Sequence, residues 1–133
     1  MTIKGKIIPN WLLNAPNKMP INIHYSILPF YRGASPIQSS LLNGDNLSGV
    51  TFMEISEGLD EGKIIKIFTL DIVETHNKVS LENDLCDLAI KNIDDVLDLL
   101  LSDNILLNAQ DDAKASYCSK IKKSDSIIDF AAN

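Results

Sequence analysis

This sequence predicts an α/β layer structure with few strands and one long packing helix. Three observations lead there. Ile21-Asn22-Ile23-His24 alternates apolar and polar residues, the period of a strand with two different faces. Val50 to Ile55 and Ile64 to Val73 are rich in strand-forming residues, which suit a pleated, half-buried surface. From Ser80 to Ser102, Leu81, Leu85, Leu88, Ala89, Ile93, Val96, Leu97 and Leu100 recur at helical spacing, a stripe that must be buried against another layer.

The elements follow in chain order. Pro9, Pro16 and Pro20 punctuate an irregular lead-in, within which Trp11, Leu12 and Leu13 can form one helical turn. In the strand over 21–24, Asn22 and His24 are two residues apart and project to the same side. Pro29, Gly33 and Pro36 make 25–36 a loop. Pro36 then suits the first turn of a helix through Ile37, Leu41 and Leu42, which Gly44 ends. Gly58-Leu59-Asp60-Glu61-Gly62 is a glycine-bracketed turn between the second and third strands. Ser80 is the expected N-cap of the long helix, whose polar face carries Glu82, Lys91, Asp94 and Asp98. Beyond it, Ile105 to Leu107 is a short apolar run in a polar tail.

Composition narrows the function classes. The length of 133 residues allows one domain. No apolar run is long enough to span a bilayer, and Met1 to Asn10 lacks the apolar core of a secretory signal; a cytoplasmic location without membrane contact is the expectation. The net charge of −6 gives no global excess for phosphate binding. A nucleic-acid contact would need a local patch, for which Lys120, Lys122 and Lys123 are the best candidates, although a solvated charge run is the favoured reading of them. Cys86 and Cys118 lie far apart, and neither they nor His24 and His76 have metal-ligand spacing. Two free thiols in a reducing compartment are expected, with Cys86 a small core residue.

Asn22, His24 and Asp60 are the residues to weigh together for chemistry. An amide and an imidazole on one strand face can stabilise a developing oxyanion. A carboxylate on a nearby glycine-rich turn can orient the imidazole and assist proton transfer. The set suits attack of an amine on a carbonyl. The plain alternative is that His24 is structural and Asp60 is a turn former.

Longer motifs surround these residues. Ile21 to Gln38, containing Asn22-Ile23-His24, Ser26-Ile27-Leu28-Pro29 and Arg32-Gly33, resembles the signature of the folate-dependent formyltransferases. Gly49-Val50-Thr51 followed by Gly58-Leu59-Asp60-Glu61-Gly62 resembles the second motif of that family. Within the family the methionyl-tRNA formyltransferase branch is the most similar. Ala34-Ser35-Pro36-Ile37-Gln38 is similar to its A-A-P-I-Q, and Ser116 to Ile121, Asp125 and Ile128-Asp129-Phe130 resemble its tail signature. The resemblance runs from Gly5 to Phe130.

The resemblance implies a partial formyltransferase catalytic domain of Rossmann-like fold. It implies transfer of a formyl group from 10-formyltetrahydrofolate, without a metal, to the amino group of initiator methionyl-tRNA. Asn22, His24 and Asp60 would be catalytic; Gly58, Leu59, Asp60 and Gly62 would line the folate site; Ser26 and Arg32 would support it. Residues 1–115 would form the second half of the catalytic domain, and 116–133 the start of a linker. Against the family pattern, a front half with central strands and a second, tRNA-gripping domain are missing, and Phe30 replaces a basic residue. The chain alone is therefore expected to be weakly active or inactive. It would depend on a polypeptide supplying the missing half or would self-associate through an unpaired sheet edge. The alternatives are a non-catalytic remnant or partner subunit of a complete formyltransferase, or a sugar-nucleotide or glycinamide-ribonucleotide formyltransferase relative.

Overall fold

A computed structural model of the chain describes residues 2–3, 6–102 and 105–127. Gly5 and Ile128-Asp129-Phe130, at the two ends of the resemblance, lie outside the described residues. The chain opens with a small antiparallel ladder of β1 (Thr2–Ile3) and β2 (Lys6–Ile7), then the short helix α1 (Asn10–Leu13). Strand β3 (Ile21–His24) leads through a loop to β4 (Arg32–Gly33) and helix α2 (Pro36–Leu42). Strands β5 (Leu47–Glu54) and β6 (Ile64–Asp71) precede the long helix α3 (Lys78–Leu101) and a final short strand β7 (Tyr117–Cys118).

The main sheet has three strands in the order β3-β5-β6, and both pairings are antiparallel. Helix α3 covers one face. Its Leu81, Leu85, Ala89 and Val96 are buried against Val50, Phe52 and Ile65, with Ile37 of α2 closing the cluster. Each such leucine is worth about 1.5–3 kcal/mol relative to remaining wet. Phe52 and Phe68 meet edge to face with centroids 5.9 Å apart, a favoured aromatic geometry.

Central strand β5 is buried on both faces from Ser48 to Met53. Val50 and Phe52 face α3. Thr51, on the other face, donates from Oγ1 to the Ser26 carbonyl at 2.7 Å and accepts from the Leu28 N–H at 3.2 Å. The loop after β3 therefore lies across the face opposite α3. Asn22 and His24 pair with Met53 and Thr51, so they share that face, while Ile21 and Ile23 pack into the core. The alternation in β3 thus separates core from site.

Several boundaries differ from expectation. The N-cap of α3 is Asn77, not Ser80: the Asn77 side chain accepts from the N–H groups of Val79 and Ser80, and the Ser80 hydroxyl accepts from the Asn77 N–H. Two orphan donors at the helix start are satisfied this way, with Asn77 making the direct cap. Leu97 is 42 % exposed, off the buried stripe. Cys86 is half-buried rather than a core residue. The loop over 25–36 holds strand β4, which pairs in parallel with β7. Among the described residues no helix is long and apolar enough to cross a membrane.

Candidate active site

On the face opposite α3, a cleft of about 330 Å³ is lined by Asn22, His24, Gly33, Ala34, Leu59 and Asp60, among others. The three residues singled out for chemistry meet there. His24 and Asp60 are buried, at 6 % and 5 % exposure. The His24 Nε2 lies 2.9 Å from the Tyr31 carbonyl oxygen. A carbonyl can only accept, so Nε2 carries a hydrogen and Nδ1 is the nitrogen left for chemistry. That Nδ1 lies 3.7 Å from Asp60 Oδ2, too far for a direct hydrogen bond. Asp60 Oδ2 instead accepts the Gly33 N–H at 2.9 Å.

Two non-glycine residues at this site have left-handed backbones, Tyr31 at φ 58° and Asp60 at φ 51°. Such conformations persist only where the surroundings hold them. Tyr31 is held from several sides. Its N–H donates to Ser116 Oγ at 2.9 Å, its hydroxyl donates to Asp45 Oδ2 at 2.6 Å, and its carbonyl accepts from His24 and from Cys118 Sγ. Burial, then the Asp45 hydrogen bond, pushes the Tyr31 phenol above its ordinary value.

Gly33 needs to be glycine for two reasons. Its φ is 118°, and an added Cβ would collide with the Cys118 carbonyl oxygen across the β4–β7 pair. Gly62 meets the Glu54 carbonyl in the same way. Gly58 and Gly62 shape the turn rather than line the cleft; Leu59, half exposed, is the turn's apolar contribution to it. Ser26 lies outside the cleft lining. Its hydroxyl donates to the Phe30 carbonyl at 2.6 Å and so braces the loop.

Arg32 is not a surface charge for a ligand. It is 1 % exposed. Nε and Nη2 donate to Gln110 Oε1 at 3.0 and 2.8 Å, Nη2 donates to Asp112 Oδ1 at 2.7 Å, and Nη1 to the Tyr117 hydroxyl at 3.2 Å. Burial alone would lower its basicity, but the bonds to Asp112 and Tyr117 outweigh this and the net shift is upward. Tyr25, which also lines the cleft, has its phenol pushed up by burial and then by Cys86 and Glu82. Sequence reasoning missed Gln110 and the Tyr31 carbonyl. Neither belongs to an element with a periodic pattern, and a backbone acceptor leaves no signature in side-chain identity.

Among the described residues, no group of three or more His, Cys, Asp or Glu side chains could hold a metal ion. Asn22, His24 and Asp60 line the same cleft, where an amide can donate to a carbonyl oxygen and an imidazole can move a proton. Lys120, Lys122 and Lys123 are exposed in the tail, away from the cleft lining.

Residues 3–97 match the formyl transferase family. The chain is 46% identical over 128 residues to methionyl-tRNA formyltransferase of Nitratiruptor sp., covering 96% of this chain and 41% of that protein. The chain thus spans about two-fifths of the length of that relative. Among solved structures it is similar to the N-formyltransferase of Helicobacter canadensis, crystallised with folinic acid and dTDP-3-aminofucose. The TM-score is 0.65 and the identity 27%, over 75% of this chain and 37% of that one. HypX of Aquifex aeolicus, in complex with tetrahydrofolic acid, shares the fold with a TM-score of 0.82 and 17% identity, over 96% of this chain and 22% of that one. The α/β class and its Rossmann-like formyltransferase form are those expected of the sequence.

Proposed function

The chain belongs to the formyl transferase family, and from that premise we propose that its cleft serves formyl transfer from 10-formyltetrahydrofolate to the amino group of initiator methionyl-tRNA. The observation that carries the reading is the posture of His24. Its Nε2–H is committed to the Tyr31 carbonyl, and its Nδ1 faces Asp60 Oδ2 at 3.7 Å inside a cleft that Asn22 also lines.

The bound folate would supply an activated formyl group. The residues fit such a group: the Asn22 amide for a carbonyl oxygen, His24 Nδ1 for the proton of the amine, and Leu59 as an apolar wall. Asn22 donates from its amide to the formyl oxygen as negative charge develops there. His24 Nδ1 accepts the proton of the attacking amine as the new C–N bond forms. Asp60 then faces a charged imidazolium and stabilises it. His24 returns the proton to the folate nitrogen as the old C–N bond breaks. Tyr31 keeps the ring oriented throughout by holding Nε2–H.

Support for the folate donor comes from the folinic acid in the Helicobacter canadensis enzyme. Support for methionyl-tRNA comes from the name and identity of the Nitratiruptor relative. In this reading residues 1–115 carry the chemistry, and Ser116 to Cys118 brace it through Tyr31, Arg32 and Gly33. Transfer by these residues alone is weak in this reading, and a polypeptide or second copy that adds to the donor and tRNA sites would raise it. Strand β3 pairs only with β5 among the described residues, which leaves an edge for such a partner.

The test is calorimetric titration of the chain with folinic acid beside H24A, followed by a formylation assay on methionyl-tRNA. Binding that weakens about tenfold in H24A supports the reading, since ring and carboxylate act at the same centre. A folded chain that takes up no folinic acid overturns it as a donor site. Vigorous formylation by the chain alone would contradict the weakness proposed for it.

A further inference from the structure

We infer that Gln110 is a positioning residue for the reaction proposed above, on which this inference rests. It holds Asp60 in place by gripping the backbone of the turn that carries it.

Asp60 has a left-handed backbone at φ 51°, which a residue with a Cβ adopts only under external restraint. Two contacts restrain it. One is its own carboxylate, which accepts the Gly33 N–H at 2.9 Å. That carboxylate is also the group that faces His24, so it cannot by itself fix the position from which it acts. The other is Gln110. Its Nε2 donates to the Asp60 carbonyl at 2.9 Å and to the Gly62 carbonyl at 2.8 Å. A primary amide has two N–H groups, and both are aimed into this one turn.

The grip is itself anchored. Gln110 Oε1 accepts from Nε and Nη2 of the buried Arg32. Only this orientation of the amide satisfies both sides, because guanidinium groups donate and backbone carbonyls accept. Arg32 is in turn fixed by Asp112 and Tyr117. The chain of contacts therefore runs from β4 through one side chain of the tail to the turn at 58–62. It sets the distance between Asp60 and an imidazole carried by β3. Small misplacements of such a group weaken catalysis far more than they weaken the fold.

The experiment compares wild type, Q110E and Q110M. Q110E keeps the acceptor for Arg32 but removes both donors to the turn and sets a carboxylate oxygen against two carbonyls. Its expected signature is a lower melting temperature, amide exchange at Leu59 to Gly62 faster by about tenfold or more, displaced ring-nitrogen signals of His24, and folinic acid affinity lower by about tenfold or more. Q110M removes the Arg32 acceptor as well, so it shows the same turn and ring changes together with a lower melting temperature. It carries the decision if Q110E does not fold. Exchange rates, His24 signals and affinity all within about twofold of wild type would overturn the inference. If wild type itself takes up no folinic acid, the proposed reaction fails, while exchange and the His24 signals still decide the role of Gln110.

Discussion

His24 donates its Nε2–H to the carbonyl oxygen of Tyr31, 2.9 Å away. This one bond decides which face of the imidazole is available, because the carbonyl has no hydrogen to offer in return. The partner is a backbone group on a residue with a left-handed conformation, φ 58°.

The first prediction concerns the tautomer. Long-range proton–nitrogen correlation spectra at mildly alkaline pH should show neutral His24 protonated on Nε2, with Nδ1 in the range of an unprotonated ring nitrogen. A spectrum with the hydrogen on Nδ1 would remove the role proposed for that atom.

Gly33→Ala should destabilise the chain strongly. The new Cβ would meet the Cys118 carbonyl, and φ of 118° is a region that L side chains rarely adopt. The parallel β4–β7 pair must open or shift, and the expected loss is about 2–4 kcal/mol. Urea denaturation would measure it; a midpoint unchanged from wild type would show that the pair yields without strain.

The cap of α3 offers a paired test. Asn77→Ala removes a side chain that accepts from two backbone N–H groups, and should cost about 1 kcal/mol. Ser80→Ala removes only the reciprocal bond to the Asn77 N–H and should cost less. The reverse order in thermal denaturation would return the cap to Ser80.

Alkaline stability should depend on Tyr31. Burial and the Asp45 hydrogen bond raise its phenol above the ordinary value of 10.0. The folded state therefore holds this proton at a pH where the unfolded state has released it. The sign follows by linkage: the contribution is fully present below the unfolded value and is lost as pH rises through the folded one. Tyr31→Phe should lose less stability than wild type as pH is raised above 10.0, relative to each protein at neutral pH. Equal losses in the two proteins would remove Tyr31 as the cause.

Much of the fold could be read from local pattern, and the reason is visible in particular residues. Ile21 and Ile23 pack on the core while Asn22 and His24 line the cleft, which Ile23 also borders, so the period-two alternation records two environments that meet at Ile23. Leu81, Leu85, Ala89 and Val96 likewise record the face of α3 that meets the sheet. The α3 cap was misread because Asn77 and Ser80 bond each other reciprocally and Ser80 stands directly before Leu81. Strands β4 and β7 are two residues each, too short for any periodicity. Arg32 was recognisable as a family position, but its burial could not be, since its partners Gln110, Asp112 and Tyr117 lie about 80 residues downstream.

That separation also orders events in time. Asn22, His24 and Asp60 are all synthesised well before the segment that braces them, and the Tyr31–Ser116 bond closes a span of 85 residues. Closing so long a loop carries an entropic penalty that only the finished contacts offset. On a ribosome that releases the chain from its N-terminus, Asn22, His24 and Asp60 therefore emerge before their brace and acquire their final geometry only when Gln110 to Cys118 come free of the exit tunnel.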